Sequence, residues 1–219
     1  PAGSGLTANY GATSFALTST GAVASSVAWD NGAGDFLWTS ALNWNTDTLP
    51  ASTQDVTISA LGSPVTLSSG AQSIKSLLSD ANLIVSGGSL AMANASTINA
   101  TLTVSGGTVT ANGGLTANGL SVSSGTLSGL SNLVVNNSFT HSGGTISGFG
   151  LLDITQTSGN LVFGAPLGVQ ALNAQANAGS INVNSPITAA GNMVLTAAGA
   201  ILDGNGAASN VSADTLTLN

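Results

Sequence analysis

One line of sequence returns along this chain, and it restricts the fold more than any other feature. Residues 102–114 read LTVSGGTVTANGG, and edited copies begin LIVSGGSL at Leu83, LSVSSGTL at Leu120 and FTHSGGTI at Phe139. With Gly87, Gly106, Ser124 and Gly143 as markers, the spacings are 19, 18 and 19 residues. A unit this short cannot bury an apolar face alone, so its copies must stack on one another to make a core. Within each copy the apolar positions alternate with polar ones: Leu83 and Val85, Leu102 and Val104, Leu120 and Val122, Phe139 and His141. Period two marks a strand with one buried face. The Ser-Gly-Gly that follows is turn chemistry, because glycine accepts positive φ.

Beyond Gly150 the wording changes while the period persists, in NAGSINVNSPITAAG (177–191) and TAAGAILDGNG (196–206), with Gly179 and Gly199 twenty residues apart. Upstream, DVTISALGSPVTL (55–67) and SIKSLL (73–78) read as divergent copies. Helix is disfavoured, since Gly, Ser, Thr and Asn are dense and no segment sustains an i, i+3, i+4, i+7 apolar pattern. The expected fold is therefore all-β, a right-handed parallel β-helix (β-solenoid) of about 20-residue coils behind a Trp-rich N-terminal junction. Residues 55–219 supply roughly eight coils, a rod of about 40 Å at the usual strand spacing.

Composition removes several function classes. Charged residues make up 4% of the chain, against roughly 25% in an ordinary soluble domain. Lys75 is the one cation, and the net charge is −7. Nucleic acid and anionic membrane are poor partners for such a chain, because both require clustered Lys and Arg. No apolar run is long enough to span a bilayer, so direct membrane insertion is not expected. Residues 1–15 lack the basic start and hydrophobic block of a signal peptide. The absence of cysteine removes disulfides and thiolate chemistry.

Residues 29–54 form a junction unlike the repeats on either side. All three tryptophans, Trp29, Trp38 and Trp44, lie in it, as do Asp30, Asp35 and Asp47. Three roles compete: a cap over the first coil, a stacking platform for glycans, or a calcium site made by Asp30, Asn31 and Asp35 in the Gly-rich DNGAGD loop. The loop is too short for an EF-hand and lacks its terminal bidentate acid. No other cofactor is expected. Residues 1–28 are strand-like but out of phase, and read as a free β-arm or the tail of a preceding domain. The C-terminal VSADTLTLN ends on an alternating strand, an open edge of the kind that invites pairing. A free arm added to such an edge would join copies head to tail.

By register His141 replaces Val85, Val104 and Val122, so it points inward; a neutral imidazole hydrogen-bonded to a backbone group is expected, with burial lowering its pKa. Lys75 reads as outward and solvated. No catalytic constellation is evident, since His141 has no Cys or Glu to work with and Asp30 with Asp35 is the one candidate carboxylate pair. The chain is expected not to be an enzyme.

Two segments carry a resemblance. NAGSINVNSPITAAGNMVLTAAGAILDGNG resembles the repeats of filamentous-haemagglutinin-type adhesins, exported by two-partner secretion in Gram-negative bacteria, in the placing of Ala178-Gly179, Ile181 and Ala197-Ala198-Gly199. The Trp segment resembles the WDxGAGDxxWxxAxNW junctions of large repetitive surface proteins and autotransporter-like passengers. Together these cover roughly residues 29–219. The resemblance implies a right-handed parallel β-helix, an extracellular or cell-surface location, and a role in attachment, aggregation or biofilm matrix. The family's secretion domain has N-terminal motifs that are not found here, which points to an interior segment or a processed piece. The expected function is a rigid segment of a surface adhesin, with other copies or flanking repeats as end-to-end partners and surface or matrix glycans as further ones. The alternative is a self-polymerising fibre subunit. A glycan- or ice-binding module, the latter through Thr101, Thr103, Thr108 and Thr110, is the remaining reading.

Overall fold

A computed structural model describes residues 6–10, 15–19, 25–61, 64–206 and 209–219. Parallel strands stack in about 8 coils about 19 residues apart, a β-solenoid with almost no helix. Among the described residues the helical element is a single 3-10 turn, Ala41–Asn43.

Each coil contributes strands to three faces. On the first face, Ser26–Ala28, Asp55–Ile58 and Ser76–Ser79 pair in parallel and are continued by the first segments of the long strands Ser96–Ala111, Leu115–Gly129 and Asn132–His141. Leu151–Gln156, Leu172–Ala176, Asn192–Ala197 and Thr215–Leu218 carry the sheet onward. The second face runs from Val65–Leu67 through Leu83–Val85 and the middles of the long strands to Leu161–Phe163, Ile181–Val183 and Ile201–Asp203. The third is split between Ala71–Ile74, Ser89–Met92 and their successors up to Thr145–Ser147, and a separate group, Leu167–Val169, Ile187–Ala189 and Val211–Ser212.

Register decides what fills the core. Leu83 pairs with Leu102, Leu102 with Leu120 and Leu120 with Phe139, all buried. Two residues on, Val85, Val104, Val122 and His141 make the adjoining inward ladder. The first face has its own ladder, from Leu115 through Leu133, Leu152 and Leu172 to Met193. The apolar members of these ladders belong to one continuous cluster that begins at Val27. Because side chains alternate across a strand, a one-residue slip would expose a whole ladder, so the register is strongly specified.

The Ser-Gly-Gly corners are stacked so closely that side chains have no room. A Cβ on Gly125 would lie 2.3 Å from the Gly107 carbonyl oxygen, and Gly125 has φ of 76°. Beside it Ser124 is tolerated, because its hydroxyl donates to the Ser105 carbonyl at 2.6 Å.

Two expected boundaries change. Ser26–Ala28 is the first strand of the stacked sheet, paired with Asp55–Ile58, so the solenoid begins inside the segment assigned to an arm, and 29–54 is an excursion between two rungs. The arm itself is not a single free strand: Leu6–Tyr10 and Phe15–Ser19 pair with each other in antiparallel register, Leu6 opposite Ser19. Residues 1–5, 11–14 and 20–24 of that segment lie outside the described residues.

Candidate functional site

The excursion at 29–54 interrupts the repeat between two rungs, and its chemistry is that of a closed polar clasp over a tryptophan cluster. Trp44 packs edge-on against Trp29 and Trp38, with both ring-centroid separations 4.9 Å and interplanar angles of 88° and 66°. Trp38 and Trp44 are wholly buried and Trp29 nearly so. The Trp44 indole N–H donates to the Trp38 carbonyl at 2.9 Å. Trp29 and Trp44 are joined by an antiparallel bridge, while Leu37 bridges in parallel to Thr66. That second bridge sets Trp38 above Leu67, at the head of the ladder that continues through Val85 and Val104. The indoles therefore cover the first coil and offer no open face for a sugar ring, which removes the geometric basis of the stacking-platform reading.

Above the indoles, the DNGAGD loop is folded by its own polar groups. Asp30 Oδ1 accepts from the Gly32 N–H at 3.1 Å. Asp35 Oδ1 accepts from the Leu37 N–H at 3.0 Å and from Asn43 Nδ2 at 2.6 Å, and Asp35 Oδ2 accepts from the Ser40 hydroxyl at 2.5 Å. These donors, Ser40 first, then the Leu37 backbone and Asn43, hold the Asp35 carboxyl below its ordinary value. Asn43 is the hub. Fully buried, it also takes the Ala33 N–H on its Oδ1 at 2.9 Å and donates to the Leu37 carbonyl at 3.0 Å. The backbone carbonyl of Asn43 receives the Asp30 and Asn31 N–H groups. Asn31 and Phe36 adopt positive φ, 58° and 56°, where the loop reverses.

For calcium, these partners matter. Asp35 spends both oxygens on protein donors and Asp30 Oδ1 closes a turn, while Asn31 Oδ1 is buried without a hydrogen-bond partner. Among the described residues no three His, Cys, Asp or Glu side chains are grouped as a metal would require. The loop as folded is a set of turn-forming side chains around Asn43, a residue the sequence reading passed over. Its signal was there in principle: an Asn between two apolar positions of a buried turn needs partners for three or four hydrogen bonds.

The other named residues lie apart from this clasp. Lys75 is half exposed as expected, but it is not simply solvated: its ammonium pairs with Asp55 Oδ2 at 2.7 Å, across one coil step. Lys75 and then the Ser76 hydroxyl hold the Asp55 carboxyl below its usual range. His141 points inward as the register required, yet the expected backbone hydrogen bond is not made, since neither ring nitrogen has a partner. The four threonines do not form one row. Thr103 stacks between Ile84 and Ser121, and Thr110 between Ala91 and Ser128, so they lie on different faces in columns of mixed composition. Two shallow grooves, about 310 Å³ along Gly148, Phe149, Gly168, Val169, Gln170 and Thr188 and about 370 Å³ along Pro186, Ile187, Thr188, Ser209, Val211 and Ser212, are both lined without a titratable group.

Comparison of the chain with protein-family models, with curated proteins and with solved structures finds no match. The β-solenoid is shown by the coordinates themselves, and the adhesin resemblance rests on the motifs quoted above.

Proposed function

We propose that this chain is a rigid β-solenoid segment of an extracellular bacterial adhesin or biofilm-matrix protein, acting as a stalk rather than as a catalyst. The observation that carries this reading is continuity: the inward ladders run from coil to coil while the outward positions are almost all uncharged. From residue 81 to residue 152 there is no Asp, Glu, Lys or Arg at all. A core of stacked apolar rungs with paired backbones resists bending. The Trp clasp closes the N-terminal end of the stack, where an uncovered coil would expose apolar area and unpaired strand edges. Other copies of the chain or flanking repeats, and surface or matrix glycans, are the partners of this reading; calcium at Asp30, Asn31 and Asp35 is a separate candidate read from the loop, and none of them is needed for the stalk.

The test is made on the organism that produces the chain. Intact cells are treated with a broad-specificity protease and stained with an antibody to residues 81–152, and attachment and matrix formation are measured with and without the gene. Surface-accessible antigen and a loss of attachment or matrix support the proposal. Antigen confined to the cytoplasm, or attachment and matrix unchanged by the deletion, refutes it. Filaments of the purified 219-residue chain that grow with concentration would replace the stalk by a head-to-tail fibre.

A further inference from the structure

His141 is the core residue that the stalk does not explain. Its rung is occupied by Val122 in the preceding coil and Phe163 in the next, and Phe139 stands beside it with ring centroids 6.3 Å apart. The imidazole is 1% exposed, and neither Nδ1 nor Nε2 has a hydrogen-bond partner. A neutral imidazole carries one N–H donor and one acceptor, and burying both without partners costs free energy that a valine at the same rung would not. The residue weakens the coil that holds it.

Its surroundings sharpen the point. The strands paired with its own strand, Asn132–His141, are Leu115–Gly129, Leu151–Gln156 and Leu161–Phe163; the one other ionisable side chain among them is Asp153. The nearest charge along the chain is Asp153 on the next coil, which stacks between Val134 and Asn173 and accepts from Asn173 Nδ2 at 2.8 Å. Asp153 is thus held in an outward, half-buried column, and no carboxylate faces the imidazole.

We propose that His141 is an acid switch: protonation of its imidazole opens the coil at residues 132–147 and the contacts that coil makes with its neighbours, while the ends of the solenoid remain stacked. The direction follows from burial, which pushes the group below its ordinary value of 6.5; the nearby Gly144 backbone opposes this in part without reaching hydrogen-bond geometry. The folded form thus holds the neutral ring and the opened form takes up a proton. Stability is complete above about pH 6.5 and is lost as the pH falls from there toward the lowered folded midpoint. Across that window each pH unit multiplies the opening constant by about ten. Opening stays local because coils in a solenoid interact with their nearest neighbours.

Two measurements on the full chain test it. His141 is the one histidine, so its ring protons can be followed by NMR without assignment, and a titration midpoint below 6.5 is expected. Hydrogen exchange at pH 7.5 and pH 5.0, corrected for intrinsic rate, should show peptides within 132–147 losing protection at the lower pH, with peptides from 83–111 unchanged. The variants His141→Val and His141→Phe, which place residues found on neighbouring rungs, should remove that loss. A midpoint at or above 6.5, protection in 132–147 that does not respond to pH, or an equal loss in a folded variant overturns the proposal. If neither variant folds, the NMR midpoint and the wild-type exchange pattern decide it.

Discussion

Asn43→Ala is the most informative perturbation of the Trp clasp. The Asn43 side chain makes two bonds to the main chain, from the Ala33 N–H at 2.9 Å and to the Leu37 carbonyl at 3.0 Å, besides its bond to Asp35. Each main-chain bond contributes about 1 kcal/mol net, and leaving a buried partner unsatisfied costs roughly 1–3 kcal/mol more. Ala33 is exposed and its N–H can turn to water, whereas the Leu37 carbonyl is in a half-buried stretch. The expected loss is therefore about 2–4 kcal/mol, set mostly by the Leu37 side of the clasp. All three tryptophans sit beneath it, so their fluorescence reports the cap, while far-UV circular dichroism reports the coils. In urea, the fluorescence midpoint of Asn43→Ala should fall well below that of the wild type and separate from the dichroism midpoint, because a solenoid loses an end before its interior. A fluorescence transition displaced by less than about 0.5 kcal/mol, the range of an ordinary surface substitution, would refute the assignment of Asn43 as the hub. So would a shift seen in the dichroism alone.

Three further outcomes follow from the same geometry. Gly125→Ala should destabilise the solenoid by about 2–4 kcal/mol in urea unfolding, because the methyl meets the Gly107 carbonyl at 2.3 Å in a left-handed backbone conformation; an unchanged midpoint would mean the corners are not stacked as described. Asp35 and Asp55 have lowered folded pKa values, so their stabilisation is present above about pH 4, the usual unfolded carboxyl value, and is lost as the pH falls through the folded ones; the tryptophan signal should report this loss below pH 4, and Asp35→Asn should diminish it. Asn173→Asp sets a second carboxylate one rung from Asp153 in place of a hydrogen-bond donor; a loss of about 1 kcal/mol at low salt, reduced at 1 M, is expected in chemical unfolding.

The ladders were legible because the core faces of the middle coils are written in Leu, Val and Ile at period two. The pairing of Leu83, Leu102, Leu120 and Phe139, and the inward His141, follow from that alternation and were found where it put them. The third face was not legible, because its inward positions shrink from Ile74 and Met92 to Ala111 and Gly129. Small residues carry no periodic signal, and the space above Gly129 is filled by Phe149, which lies outside the strands. The clasp was half legible. Three tryptophans at a break in the repeat pointed to a cap, but side-chain hydrogen bonds depend on χ angles and loop φ values that composition does not encode, so Asn43 and the turn-closing bonds of Asp30 and Asp35 went unnoticed. The segment at 26–28 was misplaced for another reason: a three-residue strand is too short to establish a phase of its own.

Stacking also explains why the chain is nearly free of charge. In a solenoid each outward position lies about 4.8 Å from its counterpart in the next coil. A charge written into the repeat would therefore meet its own copy at every step, at about 1 kcal/mol of repulsion per contact even in water-like surroundings. Three of the aspartates on the coils avoid this by standing beside a donor from the neighbouring coil. Asp55 faces Lys75 and Ser76, Asp80 receives Asn99 Nδ2 at 2.7 Å, and Asp153 receives Asn173 Nδ2 at 2.8 Å. Thr, Ser and Asn can repeat down a column without penalty, since hydroxyls and amides serve as donor and acceptor at once. The sparse charge of this chain is thus a consequence of its translational repeat, and the same rule isolates His141: a column built to hold no ions has no counter-ion to offer when a proton arrives.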